Sequence, residues 1–240
     1  MNIVLEWDKH KSMTESLDIK RAKPILKSIF MKTQSMWGKE DKDTVKAIKS
    51  MSFTGKWLDL AAGDGRYVGR LINKADKLML ADLDKNVIEK LVKKIPTKNR
   101  KKVEIRTFDM TKRFPFENET FDGVFCTGTL HLFTQKILQK IITEIKRVLK
   151  PQGRIFFDFA TDIKREMKGG ALYKKPNEPS YNSDKAETVL KSLAQTFNVK
   201  TIKSRIKPQK INEAHKTYTI TCNFIIITGK KEPRVTGLNF

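Results

Sequence analysis

Residues 56–67 have the sequence KWLDLAAGDGRY, which predicts a strand, a tight turn and the start of a helix in immediate succession. The apolar strand contains Asp59 near its end, and small residues follow through Gly65. Alanine and glycine leave room for a ligand to approach backbone N–H groups near a helix N-terminus. The stretch therefore predicts a nucleotide-type cofactor site at the carboxyl end of a first parallel strand.

A dinucleotide is a poor fit to this turn. The dinucleotide fingerprint is G-x-G-x-x-G, in which each glycine has its own steric task. After Gly63 and Gly65, the third glycine position is occupied by Val68. The turn alone therefore does not identify the cofactor, and the segments downstream have to do so.

Further strand patterns follow at regular distances, and the first two of them end in an acid. Asp82 ends the second pattern and lies 23 residues after Asp59, near the roughly 20-residue spacing at which a carboxylate meets ribose hydroxyls in such folds. Asp109 ends the third, and fourth and fifth patterns follow around residues 121–126 and 155–159. Five strand–helix alternations predict an α/β fold with a parallel sheet and right-handed crossovers.

In this order, the segments resemble the successive motifs of the class I S-adenosylmethionine (SAM) dependent methyltransferases, in particular the methyltransferase-domain-11-like group. The likeness covers roughly residues 53–159 and is weaker as far as residue 228. It implies a Rossmann-like, seven-stranded, mostly parallel sheet with an antiparallel last strand, helices on both faces and a small helical N-terminal cap. Ala61 stands where the family has its first glycine, a change that is tolerated if its backbone angles are ordinary.

The resemblance also implies which residues hold SAM. The first acid and the turn surround the methionine moiety, the second acid takes the ribose hydroxyls, and the third acid meets the adenine. Carbonyl groups after the fourth strand lie near the amino group of SAM. Carried over by position, the cofactor-binding residues are Asp59, Ala61, Gly63, Gly65, Asp82, Leu83, Asp109, Met110, Cys126 and Thr127.

Each acid also has a structural alternative. Asp59 is of a type that caps helices, and Asp82 and Asp109 are of a type that forms turns. Asp84 is expected to cap the helix that follows it. Asp122 stands at the start of the fourth strand, away from the cofactor edge, and is expected to have a structural role.

Methyl transfer from SAM depends mainly on positioning, so a catalytic motif is not required. His131 is the candidate base or substrate contact, because it follows the fourth strand at the cofactor edge and has a near-neutral intrinsic pKa. The alternative is that His131 orders the loop around it. Cys126 and Cys222 are expected to be structural, and no Cys/His cluster has the spacing of a metal site.

The formal charge is +22, which makes RNA a possible partner. However, 38 of the 49 basic residues are Lys and only 11 are Arg, the residue preferred for bidentate phosphate contacts. We therefore favour a small or medium-sized acceptor methylated on O, N or C. A tRNA or rRNA methyltransferase is the alternative enzyme, and a non-catalytic SAM-binding partner subunit is the alternative of another class.

The predicted organisation is a helical cap over residues 1–52, a SAM-binding domain over residues 53–231 and a tail over residues 232–240. Trp7, Phe30 and Trp37 of the cap are candidates for the acceptor pocket, together with an irregular loop that includes residues 169–181. The alternative for the three aromatic residues is that they pack the helices onto the sheet. Two cysteines in predicted strands, no secretory signal and no long apolar segment predict a cytoplasmic location without a membrane partner.

Overall fold

The computed structural model describes residues 40–175, 178–195, 197–205, 207–213 and 216–232, which all fall in one compact unit, Gln34–Phe240. The strands are β1 (Lys56–Leu60), β2 (Lys77–Asp82), β3 (Val103–Thr107), β4 (Phe121–Cys126), β5 (Leu149–Met167), β6 (Phe197–Arg205), β7 (Gln209–Glu213) and β8 (Lys216–Lys231). The helices are α1 (Lys42–Ser50), α2 (Val68–Leu71), α3 (Lys85–Lys94), α4 (Thr97–Arg100), α5 (Gln135–Val148) and α6 (Ser183–Ala194), with a 3₁₀ turn at Leu130–Leu132.

The strands form one sheet in the order β3-β2-β1-β4-β5-β8-β6, with β7 paired to β8 beside this path. Neighbours from β3 to β5 are parallel, whereas β8 is antiparallel to both β5 and β6. The predicted α/β class and the antiparallel last strand are confirmed. The strand number differs from the predicted seven, because the short β7 adds an eighth strand along β8.

Two connections differ from the predicted alternation. Residues 108–120, between β3 and β4, contain no helix. After β4 the chain does return by a helix, α5, but β5 then runs for 19 residues instead of ending near residue 159. Pairing with β8 continues as far as Met167 opposite Tyr218. The residues between the predicted end of the fifth strand and Met167 are therefore strand, and they carry side chains beyond the parallel part of the sheet.

The apolar core lies in two layers, one on each face of the sheet. One layer packs α5 and α6 against strand residues such as Leu58 and Phe157. The other packs α1, α2 and α3 against strand residues such as Trp57 and Phe156. This alternation follows from the pleat of the strands, in which successive side chains point to opposite faces.

Helix α1 was assigned from the sequence to the N-terminal cap, and its Ala47 and Ile48 lie in the same core layer as β1. Most of that cap, with Trp7, Phe30 and Trp37, and all of the predicted tail except Glu232 lie outside the described residues. The predicted division at residue 52 stays a prediction. Within the described ranges, no helix combines the length and the apolar character needed to cross a membrane.

The ends of the helices and strands follow local chemistry. Asp84 caps α3, as expected, by accepting from the backbone N–H of Asn86 at 2.8 Å. Helix α6 is capped by Asn182, whose side-chain oxygen accepts from Lys185 N at 3.0 Å. The structural role expected for Asp122 is confirmed, since its carboxylate accepts from Lys56 N at 2.8 Å and pairs with Lys150.

Candidate functional site

A cavity of about 530 Å³ opens along the carboxyl edge of β1 to β4 and extends across β5, β7 and β8. This volume is in the range of small-molecule binding sites. In an open parallel sheet, this edge is where the strand order reverses and ligands bind. Here the reversal lies between β1 and β4, because β1 is flanked by β2 on one side and by β4 on the other.

Most of the residues predicted for the cofactor site line this one cavity. Those that do are Asp59, Ala61, Gly63, Asp82, Leu83, Asp109, Met110 and Thr127, and His131 lines it as well. The parallel strands bring them together, because their carboxyl ends share one edge of the sheet. Gly65 and Cys126 are not among the lining residues.

Gly65 and Cys126 have structural explanations. At Gly65 the backbone φ is +86°, and an added Cβ would come 2.2 Å from Leu91, so this glycine lets the turn pack closely on α3. Cys126 is completely buried, and burial raises the pKa of its thiol well above its ordinary value. Cys222, expected to be a core residue, is buried but also lines the cavity.

The carboxylate of Asp82 joins the glycine turn to the end of β2. One of its oxygens accepts from Gly63 N at 2.8 Å, and the other accepts from Asp84 N at 3.0 Å. A backbone bond from Ala62 N to Ala81 O, at 2.9 Å, lies beside them. Asp82 is thus a turn-forming residue and a cavity-lining residue at the same time.

Ala61 does not have the ordinary backbone angles that would let alanine replace the family's first glycine without strain. Its φ is +58°, in the left-handed region that glycine adopts without strain. For a residue with a Cβ this conformation costs roughly 1–2 kcal/mol. The alanine is therefore retained in a glycine geometry, with its methyl group against the core that includes Leu58 and Leu60.

Asp59 and Asp109 have opposite environments. Asp59 is buried, and its pKa is raised well above the usual value, first by burial and then by the nearby charge of Asp82. Asp109 is held by hydrogen bonds from the hydroxyl of Thr111, at 2.7 Å, and from its backbone N–H, at 2.8 Å. These bonds lower the pKa of Asp109, which therefore remains ionised.

Asp158 is a buried acid beneath the cavity that sequence reasoning missed. It lies on β5, and its carboxylate accepts from Gly128 N at 2.6 Å. Burial raises the pKa of Asp158 to about 6, although this hydrogen bond and the charge of Arg66 act in the opposite direction. The bond fixes the loop after β4, which carries Thr127 and His131. An acid inside the apolar run 155–159 was the available signal.

His131 lies in the 3₁₀ turn after β4, edge-on to Phe159. It is only 8% exposed, and within the described part of the chain its Nδ1 has no hydrogen-bond partner. Burial, followed by the positive charges of Arg165, Lys175 and Arg66, lowers its pKa to about 4. At neutral pH the imidazole is therefore uncharged, and it is a weaker proton acceptor than an exposed histidine.

The charged residues that line the cavity are divided by sign. Among the described lining residues, the carboxylates lie at or just after the ends of β1, β2 and β3: Asp59, Asp64, Asp82, Asp84 and Asp109. Arg66 also follows β1, whereas Arg165 and Lys175 come from β5 and the segment after it. Basic residues are frequent around residues 164–168 and 174–175, and of these Arg165 and Lys175 line the cavity.

Several known proteins are similar to this chain in sequence or in fold. The family described as a methyltransferase domain matches residues 58–153. A phosphoethanolamine N-methyltransferase from Triticum aestivum is 32% identical over 136 residues, which make up 54% of this chain and 27% of that protein. The chain thus spans only about a quarter of the length of this curated relative.

Solved structures have the same fold at low identity. The YcgJ protein from Bacillus subtilis matches with a TM-score of 0.59 and 15% identity, over 79% of this chain and 97% of that chain. The structure of DhpI in complex with SAH matches with a TM-score of 0.54 and 18% identity, over 80% of this chain and 83% of that chain.

The strain at Ala61 is testable by substitution. Ala61→Gly should raise the free energy of unfolding by about 0.5–1 kcal/mol, because relief of the left-handed strain exceeds the added entropy of the unfolded chain. Ala62→Gly is the matched control, since Ala62 does not have a positive φ, and it should lower stability by about 0.5–1 kcal/mol. Urea denaturation measures both values. If Ala61→Gly were less stable than the wild-type protein, the conclusion that Ala61 is strained would be wrong.

The burial of His131 predicts a pH effect. A folded-state pKa of about 4, below the ordinary 6.5, means that the unfolded chain binds the proton more tightly. Stability should therefore fall as the pH drops from about 6.5 towards 4, by up to roughly 3 kcal/mol relative to His131→Gln. The comparison with the variant is needed because Asp158, whose pKa is raised, has the opposite effect in this range.

Nuclear magnetic resonance measures the pKa of His131 directly. The imidazole signal that is missing in His131→Gln should titrate near pH 4 in the wild-type protein. A midpoint near 6.5 would show that the side chain is not shielded as the structure describes.

Proposed function

Because the chain belongs to the class I S-adenosylmethionine-dependent methyltransferases, we propose that it transfers a methyl group from SAM to a small acceptor. The observation that carries this proposal is the convergence of Asp59, Asp82 and Asp109 with one glycine turn on a single cavity. When bound, SAM supplies a methyl group activated by a sulfonium centre. The protein then has to bind SAM and the acceptor, orient them towards each other and exclude water.

The residues present fit SAM. We assign Asp82 to the ribose hydroxyls, because its carboxylate lies at the tip of β2 and is fixed by Gly63 N and Asp84 N. Asp109 and the backbone of Met110 lie one strand further along and suit the adenine. Leu83 is 69% exposed yet lines the cavity, which suits apolar contact with a flat base.

The methionine end of SAM is assigned to the turn after β1. Ala61 and Gly63 offer a surface without bulky side chains, and Thr127, which follows β4, lines the same cavity. The proposed roles of Gly65 and of the Cys126 carbonyl rest on the resemblance alone, since neither residue lines the cavity. Arg66 is the one cation among the described lining residues from β1 to β3, and its guanidinium suits the carboxylate of SAM.

Asp59 favours a cationic ligand. Burial and the charge of Asp82 raise its pKa, and a positive charge nearby stabilises its ionised form. A sulfonium or ammonium group beside β1 therefore offsets part of the cost of the buried carboxylate. This preference for a cation distinguishes SAM from an uncharged nucleoside.

His131 suits a positioning role near the reacting groups. Its neutral imidazole can accept a hydrogen bond from an N–H or O–H group of the acceptor and hold a lone pair towards the methyl group. With a pKa of about 4, His131 is a weak general base. The acceptor nucleophile therefore has to lose its proton after methyl transfer or to another group.

A small acceptor is favoured by the shape and chemistry of the cavity. Its far end, against β5 and β8, is lined by apolar side chains such as Ile163, Ile220 and Phe224. The wheat relative is named for phosphoethanolamine, which is a small acceptor. An RNA substrate is supported only by the overall charge of +22.

Cofactor binding is the first test. Calorimetry should show that the protein binds S-adenosylhomocysteine and does not bind NAD. Asp82→Ala should weaken the binding of S-adenosylhomocysteine roughly a hundredfold, about 2.7 kcal/mol. The reason is that the substitution removes charge-assisted hydrogen bonds and leaves the turn after β1 unsupported. Glu104→Gln is the control, since Glu104 is a half-exposed acid on β3 paired with Lys56. Unchanged affinity in Asp82→Ala would overturn the ribose assignment.

Methyl transfer is the second test. Labelled methyl from SAM should appear in the low-mass fraction of a cell extract when the protein is added, and Asp82→Ala should abolish it. Label in the RNA fraction would replace the small acceptor with RNA. Tight cofactor binding without label in any fraction would indicate a non-catalytic subunit.

A further inference from the structure

The cavity is longer than the part assigned to SAM. From β3 to β8 its edge crosses five inter-strand spacings, about 24 Å at ~4.8 Å each. The acids assigned to SAM occupy the β3, β2 and β1 positions. The remaining part lies against the extended end of β5, the start of β8 and β7, which exist because β5 runs on to Met167.

The charge of this remaining part is positive. Among the described residues that line the cavity, none from β5 onwards is a carboxylate, whereas Arg165 and Lys175 are cations. Tyr218 on β8 lines the same region with a hydroxyl group. After the larger effect of burial, both cations also act to lower the pKa of His131.

Arg165 is built into the wall. It is only 7% exposed, and its two terminal nitrogens bind Glu178 at 2.6 and 2.7 Å. It also hydrogen-bonds to Tyr218. Glu178 offsets much of its charge and fixes the guanidinium, and the half-buried Lys175 adds a second cation to the same part of the wall.

Two polar atoms in this region point to a ligand. Arg165 Nε and His131 Nδ1 are buried, and neither has a hydrogen-bond partner among the described residues. An unsatisfied buried polar atom costs roughly 1–3 kcal/mol, so such atoms are uncommon outside functional sites.

We propose that the cavity region formed by Arg165, Lys175 and Tyr218 binds an anionic group, phosphate or carboxylate, carried by the methyl acceptor. The apolar body of the acceptor lies on Ile163 and Ile220. The site is separate from Arg66, which is assigned to the carboxylate of SAM. This inference rests on the proposed function and narrows its substrate to small anionic acceptors.

An RNA phosphate fits this region less well. Phosphate contacts to RNA are made by exposed cations along a surface, whereas Arg165 is buried and Lys175 is half-buried. The exposed lysine next to it, Lys174, does not line the cavity. This pair of neighbours supplies a matched comparison.

The test is calorimetry on the full chain saturated with S-adenosylhomocysteine, so that no turnover occurs. Two pairs of probes separate the sources of negative charge: phenyl phosphate against phenol, and benzoate against benzyl alcohol. At least one anionic probe should bind ten times or more tightly than its neutral partner. Lys175→Gln should remove most of that preference, and Lys174→Gln should retain it.

The outcomes separate the two proposals. If S-adenosylhomocysteine binds but neither anion is preferred, or if both lysine variants behave alike, the anion site is overturned and the methyltransferase proposal stands. If S-adenosylhomocysteine itself does not bind to the wild-type protein, the proposed function fails first. A short single-stranded RNA that binds tightly and loses affinity equally in both variants would favour RNA over the small anion.

Discussion

The hydrogen bond from Gly63 N to the carboxylate of Asp82, at 2.8 Å, is the interaction on which the site depends. It ties the turn after β1 to the end of β2, which lie at the same edge of the sheet because these two adjacent strands run parallel. The second oxygen accepts from Asp84 N, which begins α3. One carboxylate therefore orders a turn, a strand end and a helix start. A ligand that binds this acid meets a surface already fixed by the fold.

The electrostatics of the cavity follow from where the strands end. Acids at the tips of β1 to β3 make one half suitable for a cationic cofactor, and cations on β5 and beyond make the other half suitable for an anion. Burial sharpens this division, because it raises the pKa of Asp59 and lowers that of His131. His131 lies between the two halves. Because it is uncharged at neutral pH, it repels neither a cationic group on one side nor an anionic group on the other.

The part of the site that was predictable from sequence is the part encoded by local motifs. The residues Asp59, Gly63, Asp82 and Asp109 each end or follow a short apolar strand, and a parallel sheet necessarily brings such ends to one edge. The φ of Ala61 was not predictable, because alanine ordinarily avoids positive values. Its position in a glycine motif was the one available signal.

The half of the cavity against β5, β7 and β8 was predicted less well because long-range strand pairing forms it. The residues of β5 beyond 160 alternate between buried and exposed, but Arg165 occupies an inward position and hides the strand pattern. Strand β7 is short and polar and exists only through its pairing with β8. Tyr218 lies 43 residues after Lys175 in the sequence, so no local motif connects it with Arg165 and Lys175.

A crystal structure of the protein with S-adenosylhomocysteine tests the central claim most directly. We expect the ligand along the tips of β1, β2 and β3, with the ribose hydroxyls within hydrogen-bonding distance of the Asp82 carboxylate and the adenine beside Asp109. A ligand bound elsewhere, or bound at this edge without contact to Asp82, would contradict the account.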